Sequence, residues 1–416
     1  MYDRAVQVSA WGRGALLGAS LVGLMGGGPA GAQPSPGAVT QPAAVAAPPT
    51  TGAERSAATA PEPPAAGAAA TAAPPLGDEA FDAAVRTPGN ERDHQVKRHY
   101  MWSNERRHDL FFADLQGLGG GYLGVGADQN YTLAAAAGSQ VLWLVDLDGA
   151  VVRVHHLYAA LVSEAETPEA LLALFEKPAL PTVKAVLERR AAGEAAALVE
   201  LYQTYRDDLR DHLQKQRGRP HTWLGDDAKY ATIRGLMRRG RVVARLGDLN
   251  GSHTVQQVAQ AARAAGVPVR VIYLSNAESW FSYGHSFRHN LTALPLDERG
   301  VVLRTVKSEV LRYPTGDIWH YSAQRAQDFA THLRGRGYPS VDTAMLDAVE
   351  GAARGSSRIG FGEARTLSPG ERRREQERRE QLLARGLVTR PDGNRESAAE
   401  LDKDRRQRAA RELANR

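Results

Sequence analysis

"GGGYLGVGADQNYTL", residues 119–133, decides how this chain is read. Three glycines lead into a short apolar run. Two more follow at G-x-G spacing, and a polar stretch then opens onto "AAAAG". Glycine lets a backbone adopt φ > 0 and approach another group closely. The pattern predicts a buried strand over "GYLGVG", a turn, and a helix over "QNYTLAAAAG" ended by Gly138. In an open α/β sheet ligands bind beyond the carboxyl ends of the strands. The neighbouring sequence must therefore show whether other strand ends match this one.

Downstream, "QVLWLVDLD" (140–148) is a continuous apolar run that ends in acids, and it predicts a second strand. A helical stretch occupies 155–240, with Leu198, Leu201, Tyr202, Tyr205, Leu209 and Leu213 at helical spacing. It is longer than an ordinary crossover and reads as an insertion between the second and third strands. "RVVARLGDLNG" (241–251) predicts a third strand and a turn. "SHTVQQVAQAARAAG" predicts a helix capped by Ser252 and closed by Gly266. "VPVRVIYLSNAE" and "GVVLRTVK" (300–307) predict a fourth and a fifth strand. "YSAQRAQDFATHLRGRG" (321–337) predicts a later helix. Upstream, "SNERRHDLFFADL" (103–115) predicts a helix capped by Ser103 or Asn104. Strands alternating with helices imply a mostly parallel sheet with helices on both faces.

Four successive strand ends carry glycine or polar side chains. They are Gly124, Gly126 and Asp128 after the first, and Asp146 and Asp148 after the second. Asp248 follows the third; Ser275, Asn276 and Glu278 follow the fourth. Asp146 lies 20 residues beyond Gly126, a spacing suited to gripping ribose hydroxyls. The glycine motif is incomplete. G-x-G-x-x-G needs glycine where Gln129 stands, and G-x-G-x-G needs it where Asp128 stands. A carboxylate at a helix N-terminus competes for the N–H groups that bind a pyrophosphate. S-adenosylmethionine has no phosphate and carries a sulfonium and an ammonium, so it suits this loop better than NAD or ATP.

"HYMWSNERRHDLF", "GGGYLGVGADQNYTLAA", "YLSNAESWF", "NLTALP" and "DIWHY" together resemble a bacterial family of uncharacterised activity. Its members have a Rossmann-like fold similar to S-adenosylmethionine-dependent methyltransferases. The resemblance spans roughly residues 90 to 335. It implies a methyltransferase-like fold and S-adenosylmethionine as cofactor, with no substrate defined. Carried over, Gly124 and Gly126 face the methionine moiety and Asp146 holds the ribose, with Asp148 as substitute. Asp248 accepts from the adenine amino group. Asn276 and Glu278 face the methyl acceptor, with Glu278 the candidate base. "SNAE" departs from the Asn-Pro-Pro-Tyr type used on nucleobase amines, which argues against DNA methylation.

Each residue also has a structural alternative. Asp128 caps a helix; Asp146 ends a strand; Asp248 belongs to the turn at Asn250-Gly251; Glu278 caps the next helix. "WFSY" (280–283) stacks on a planar ligand or packs in the core. His285 and His289 are spaced for a shared metal, but no carboxylate completes the set, nor do His253 or His320, and no metal is expected. Neither G-x-S-x-G nor G-x-x-x-x-G-K-[ST] occurs.

The termini differ in composition from the core. Of 416 residues none is Cys, which excludes disulfides and thiolate chemistry. The tail from Ala352 holds 17 Lys/Arg against 11 Asp/Glu; the rest holds 35 against 36. The net +5 therefore resides in the tail, and the core carries no basic signature of nucleic-acid binding. Within the tail (351–416), "SPGERRREQERREQLLARG" opens with a capping box, Ser368 to Glu371. It reads as a solvated helix, with contact to an anionic surface or partner as the alternative. Residues 1–32 read as an export signal: Arg4 and Arg13, an apolar stretch, and small Ala30 and Ala32 at cleavage spacing. Residues 33–80 read as an Ala/Pro-rich disordered linker, before an α/β domain over 81–350. Export places the chain in the periplasm or cell envelope. S-adenosylmethionine is made in the cytoplasm. Two functions thus compete: a methyltransferase-like enzyme, and an exported binding or scaffold protein that keeps the fold without the chemistry.

Overall fold

The computed structural model describes residues 77–362 apart from 97, 308–310 and 336–337, together with 370, 373 and 377. The export signal, nearly all of the linker and the tail's capping box lie outside the described residues.

In chain order, α1 (Asp78–Val85) and the short α2 (Phe112–Leu115) precede β1 (Gly121–Gly124). Then come α3 (Gln129–Ala137) and β2 (Val141–Asp146). Five helices follow: α4 (Gly149–Glu164), α5 (Pro168–Ala173), α6 (Leu180–Arg190), α7 (Ala195–Arg217) and α8 (Asp227–Arg238). The chain continues through β3 (Val242–Leu246), α9 (Thr254–Ala264), β4 (Val269–Ser275) and α10 (His285–Thr292). β5 (Val301–Val306), β6 (His320–Arg325), α11 (Ala326–Arg334), α12 (Val341–Ala344), β7 (Val349–Glu350) and β8 (Ser356–Ile359) complete it.

The eight strands form one sheet in the order β3-β2-β1-β4-β5-β6-β8-β7. The first five run parallel; β6 is antiparallel to β5, and β7 to β8. Strand order reverses beside β1, which makes the crevice between β1 and β4 the topological switch point. Alternate strand residues feed two cores. Tyr122, Leu142, Leu144, Tyr273 and Leu303 pack with residues of α3, α4, α7 and α8. Leu123, Trp143, Ile272, Leu274 and Val302 pack with α9, α10 and α11. Continuous apolar strands are what burial on both faces demands.

Three local expectations are corrected. The segment beginning at Tyr321 does not start as a helix: residues 320–325 form β6, which completes six backbone-paired positions along β5. Its "HYSAQ" offers no helical apolar stripe until Phe329, and pairing between β5 and β8 wins. The helix predicted from Ser103 begins only at His108, as a 3-10 turn. Helix α9 takes His253, not Ser252, as N-cap, without a side-chain cap of its own. Gly138 does end α3 in the left-handed conformation, at φ 65°.

Candidate functional site

The turn after β1 is laced by Asn130. Its Nδ2 donates to the carbonyls of Val125 and Ala127 (2.9 and 2.8 Å), and its Oδ1 accepts from Tyr122 Oη (2.8 Å). A Cβ on Gly124 would lie 2.0 Å from Asn130 Oδ1, so Gly124 is glycine to admit that side chain. Gly126 sits at φ 84°, a region closed to most side chains. Its N–H donates to Asp146 Oδ2 (3.1 Å), and its carbonyl accepts from His155 Nε2 (2.8 Å). His155 in turn meets Tyr131 Oη through Nδ1 (2.6 Å). Burial holds this imidazole down at about 4. It is therefore neutral, with Nε2–H the donor and Nδ1 the acceptor.

Asp146 and Gly126, placed on one rim by spacing alone, thus touch. The second oxygen of Asp146 accepts from the Asp148 N–H (2.9 Å). Burial, with the Asp148 charge beside it, raises the Asp146 carboxyl to about 6. Asp148 itself caps α4 through Ala150 N–H (2.8 Å) and pairs with His99 Nδ1 (2.9 Å).

Asp128 has another role. It does not cap α3 with its side chain. Its carboxylate is buried and accepts from His212 Nε2 of α7 (2.8 Å) and Trp223 Nε1 (3.0 Å). Burial pushes its carboxyl up, but His212 and Trp223 outweigh this and hold it below the ordinary value. Contrary to expectation, Asp128 does not compete with a pyrophosphate for the helix N–H groups, because its carboxylate is turned to His212 and Trp223. Asp146 is the carboxylate that takes a turn N–H, that of Gly126.

The remaining strand-end residues are accounted for differently. Asp248 closes the turn onto Asn250 N–H (2.8 Å) and lies 4.0 Å from His94. Asn276 is the N-cap of a 3-10 turn and is partly buried. Glu278 is buried in an ion pair with Arg304 Nε (2.7 Å) and accepts from Tyr283 Oη. A general base must offer its lone pair to a substrate proton; this carboxylate is committed to a guanidinium inside the core. The catalytic role expected for Glu278 is therefore corrected to a structural one. His285 and His289 stack 6.1 Å apart, and among the described residues no three His, Asp or Glu side chains are grouped to hold a metal.

What sequence reading missed is the strap, residues 87–107, which crosses the carboxyl edge. Asn90 Oδ1 accepts from Leu246 N–H, at the tip of β3. Glu91 accepts from the N–H groups of Asp248, His253 and Thr254 (3.0, 2.7 and 3.0 Å), capping α9 from outside that helix. His94 N–H donates to the Leu147 carbonyl beyond β2. Trp102 stacks on His212, with centroids 6.2 Å apart. Glu105 reaches β4 and β5, where it accepts from Ser275 Oγ (2.7 Å), His108 Nε2 (3.0 Å), Tyr273 Oη and Thr305 Oγ1. Burial pushes this carboxyl up; those donors more than offset it and hold it at about 2. The segment "GNERDHQVKRHYMWSNERR" is long, charged and without period, so nothing in it predicted these contacts.

The edge is also where large apolar side chains stay in water. Tyr100, Trp102, Leu147 and Trp280, on the strap and after β2 and β4, are 37–63 % exposed. A shallow, open surface depression lies beside Val267 and Leu296, next to the amino end of β4.

A mostly parallel α/β sheet sets an acid at the tip of β2 against the glycine turn after β1, the strand that borders the switch point. The chain belongs to the family described as Domain of unknown function (DUF7790), whose model matches residues 100–360, more than half of its length. No curated protein matches it in sequence.

Proposed function

We propose that this protein binds a phosphate-free nucleoside of the S-adenosylmethionine class at the tips of β1 and β2. The observation that carries this reading is the contact between Asp146 and the Gly126 turn in a sheet of order 3-2-1-4-5. An acid at the second strand tip suits ribose hydroxyls. It also occupies the turn N–H that a pyrophosphate would require. The Rossmann-like, methyltransferase-like assignment is part of the same proposal. Binding is favoured over methyl transfer, because Glu278, the candidate base, is engaged by Arg304 and Tyr283. This agrees with the second reading of the sequence, an exported binding or scaffold protein.

Isothermal titration of the full chain with S-adenosylmethionine and S-adenosylhomocysteine tests the site. Micromolar binding that Asp146→Ala abolishes is expected. Absence of heat with both ligands, from a sample that melts cooperatively, refutes the proposal. Cell fractionation tests export separately: a cytoplasmic protein removes that part and leaves the ligand site standing.

A further inference from the structure

Gln129 stands where a dinucleotide motif would have its third glycine, and it is the first residue of α3. The side chain is only 5 % exposed. Its Oε1 is buried and has no hydrogen-bond partner among the described residues. Its Nε2 lies over the turn, 2.7 Å from where a Cβ on Gly126 would stand. The neighbours contrast with it. Asn130 makes three hydrogen bonds, Tyr131 meets His155, and Thr132 Oγ1 accepts from Trp223 N–H. Native proteins pair nearly all buried polar groups, and an exception calls for a cause.

We infer that Gln129 is a ligand-contacting, specificity-determining residue of the β1–β2 site, its amide completed by a hydrogen-bond donor of the bound molecule. This rests on the binding reading above and deepens it. At the Gly126 turn the Asp146 carboxylate is one acceptor, and the unpaired Gln129 Oε1 becomes a second once the amide, which now presents Nε2 to the glycine, turns over. Two such acceptors at one turn call for donors, such as the hydroxyls of a ribose or an ammonium group. A phosphate brings only acceptor oxygens and negative charge, so the pair rejects it. The last torsion of a glutamine is broad and two-fold, so the oxygen turns toward the rim at little cost once a donor arrives. The glutamine that spoils the motif for dinucleotides thereby sets the selectivity of the turn.

The test uses full-length protein and four probes: adenosine, adenosine 5′-monophosphate, S-adenosylmethionine and S-adenosylhomocysteine. Wild type is expected to bind the three phosphate-free probes at least about tenfold more tightly than the monophosphate. Gln129→Met keeps the shape and removes the acceptor. It is expected to weaken binding of the phosphate-free probes about tenfold and to melt a few degrees higher than wild type, because the unpaired oxygen is gone. Gln129→Glu, which keeps an acceptor, is expected to bind them within a few-fold of wild type. Unchanged affinity in Gln129→Met overturns the inference and leaves the binding reading intact. So does a lower melting temperature in that variant, which would make the amide a structural group. No heat from wild type with any probe refutes the binding reading itself.

Discussion

At the tips of β4 and β5, Glu105 and Glu278 are gripped by side-chain donors brought from the strap and from neighbouring strands. At the tips of β1 and β2, Asp146 holds two backbone N–H groups beside an unpaired amide. Both regions lie on one edge of one sheet, and both bury carboxylates, but the titrations move in opposite directions. Glu105 is held at about 2 and Asp146 is raised to about 6. Burial alone does not mark a site; what matters is whether the buried charge has been matched. On the β4–β5 side the carboxylates are matched, and the unpaired atom is Arg304 Nη2, on the cation that faces Glu278. On the β1–β2 side the carboxylate itself is under-matched, which is the mismatch our proposal assigns to a ligand.

The largest test of this contrast is Glu105→Ala. It strips an acceptor from Tyr273, Ser275, Thr305 and His108 at once, and a cost of about 3–5 kcal/mol is expected in urea denaturation. A cost below about 1 kcal/mol would break the comparison. Asp146→Asn at neutral pH is expected to go the other way and raise the urea midpoint, while abolishing binding of S-adenosylmethionine.

The pH dependence sharpens the same point. Glu105 has a folded value below its ordinary 4.5, so its contribution is present above that pH and is lost as pH falls toward about 2. Asp146 has a folded value above its ordinary 3.8, so folding favours its protonated form. Its ionisation costs stability as pH rises from about 4 to about 6. The gain from Asp146→Asn should therefore vanish below about pH 4 and reach its full size above about pH 6, read as the difference in urea midpoints. A gain independent of pH would mean that the Asp146 charge is not the cause. The smallest expected effect is Glu91→Gln, which weakens the external cap of α9. A loss of about 1 kcal/mol is expected, with faster amide exchange over residues 252–255 and no effect at β4 or β5.

Much of the frame could be read from residues alone. The five parallel strands announce themselves as apolar runs, the first three ending at glycine or an acid. The segment from β2 to β3 shows its leucines at helical spacing, and Gly138 ends α3 where expected. Spacing set Gly126 and Asp146 at neighbouring strand ends as ligand-facing residues; that they bond to each other was not legible. What stayed hidden depends on distant partners. Asp128 looks like a helix cap until His212, 84 residues away, is brought beside it. Glu278 looks free until Arg304 closes on it from β5. The strap has no period because it forms no element; its side chains answer to strand tips and helix ends far along the chain. β6 has a polar sequence, and its pairing with β5 on one side and β8 on the other makes it a strand.

The buried bond from Asp128 to His212 and Trp223 has a consequence for how the molecule comes apart. It fastens α7 and the loop before α8 to the first strand–helix turn, and Trp223 N–H reaches Thr132 on the same helix as well. The five helices between β2 and β3 are therefore not a detachable module. Excising them would strand a carboxylate in an apolar wall and unseat α3. Heat should melt the inserted helices and the sheet in a single calorimetric transition, so a truncated minimal core has nothing to stand on.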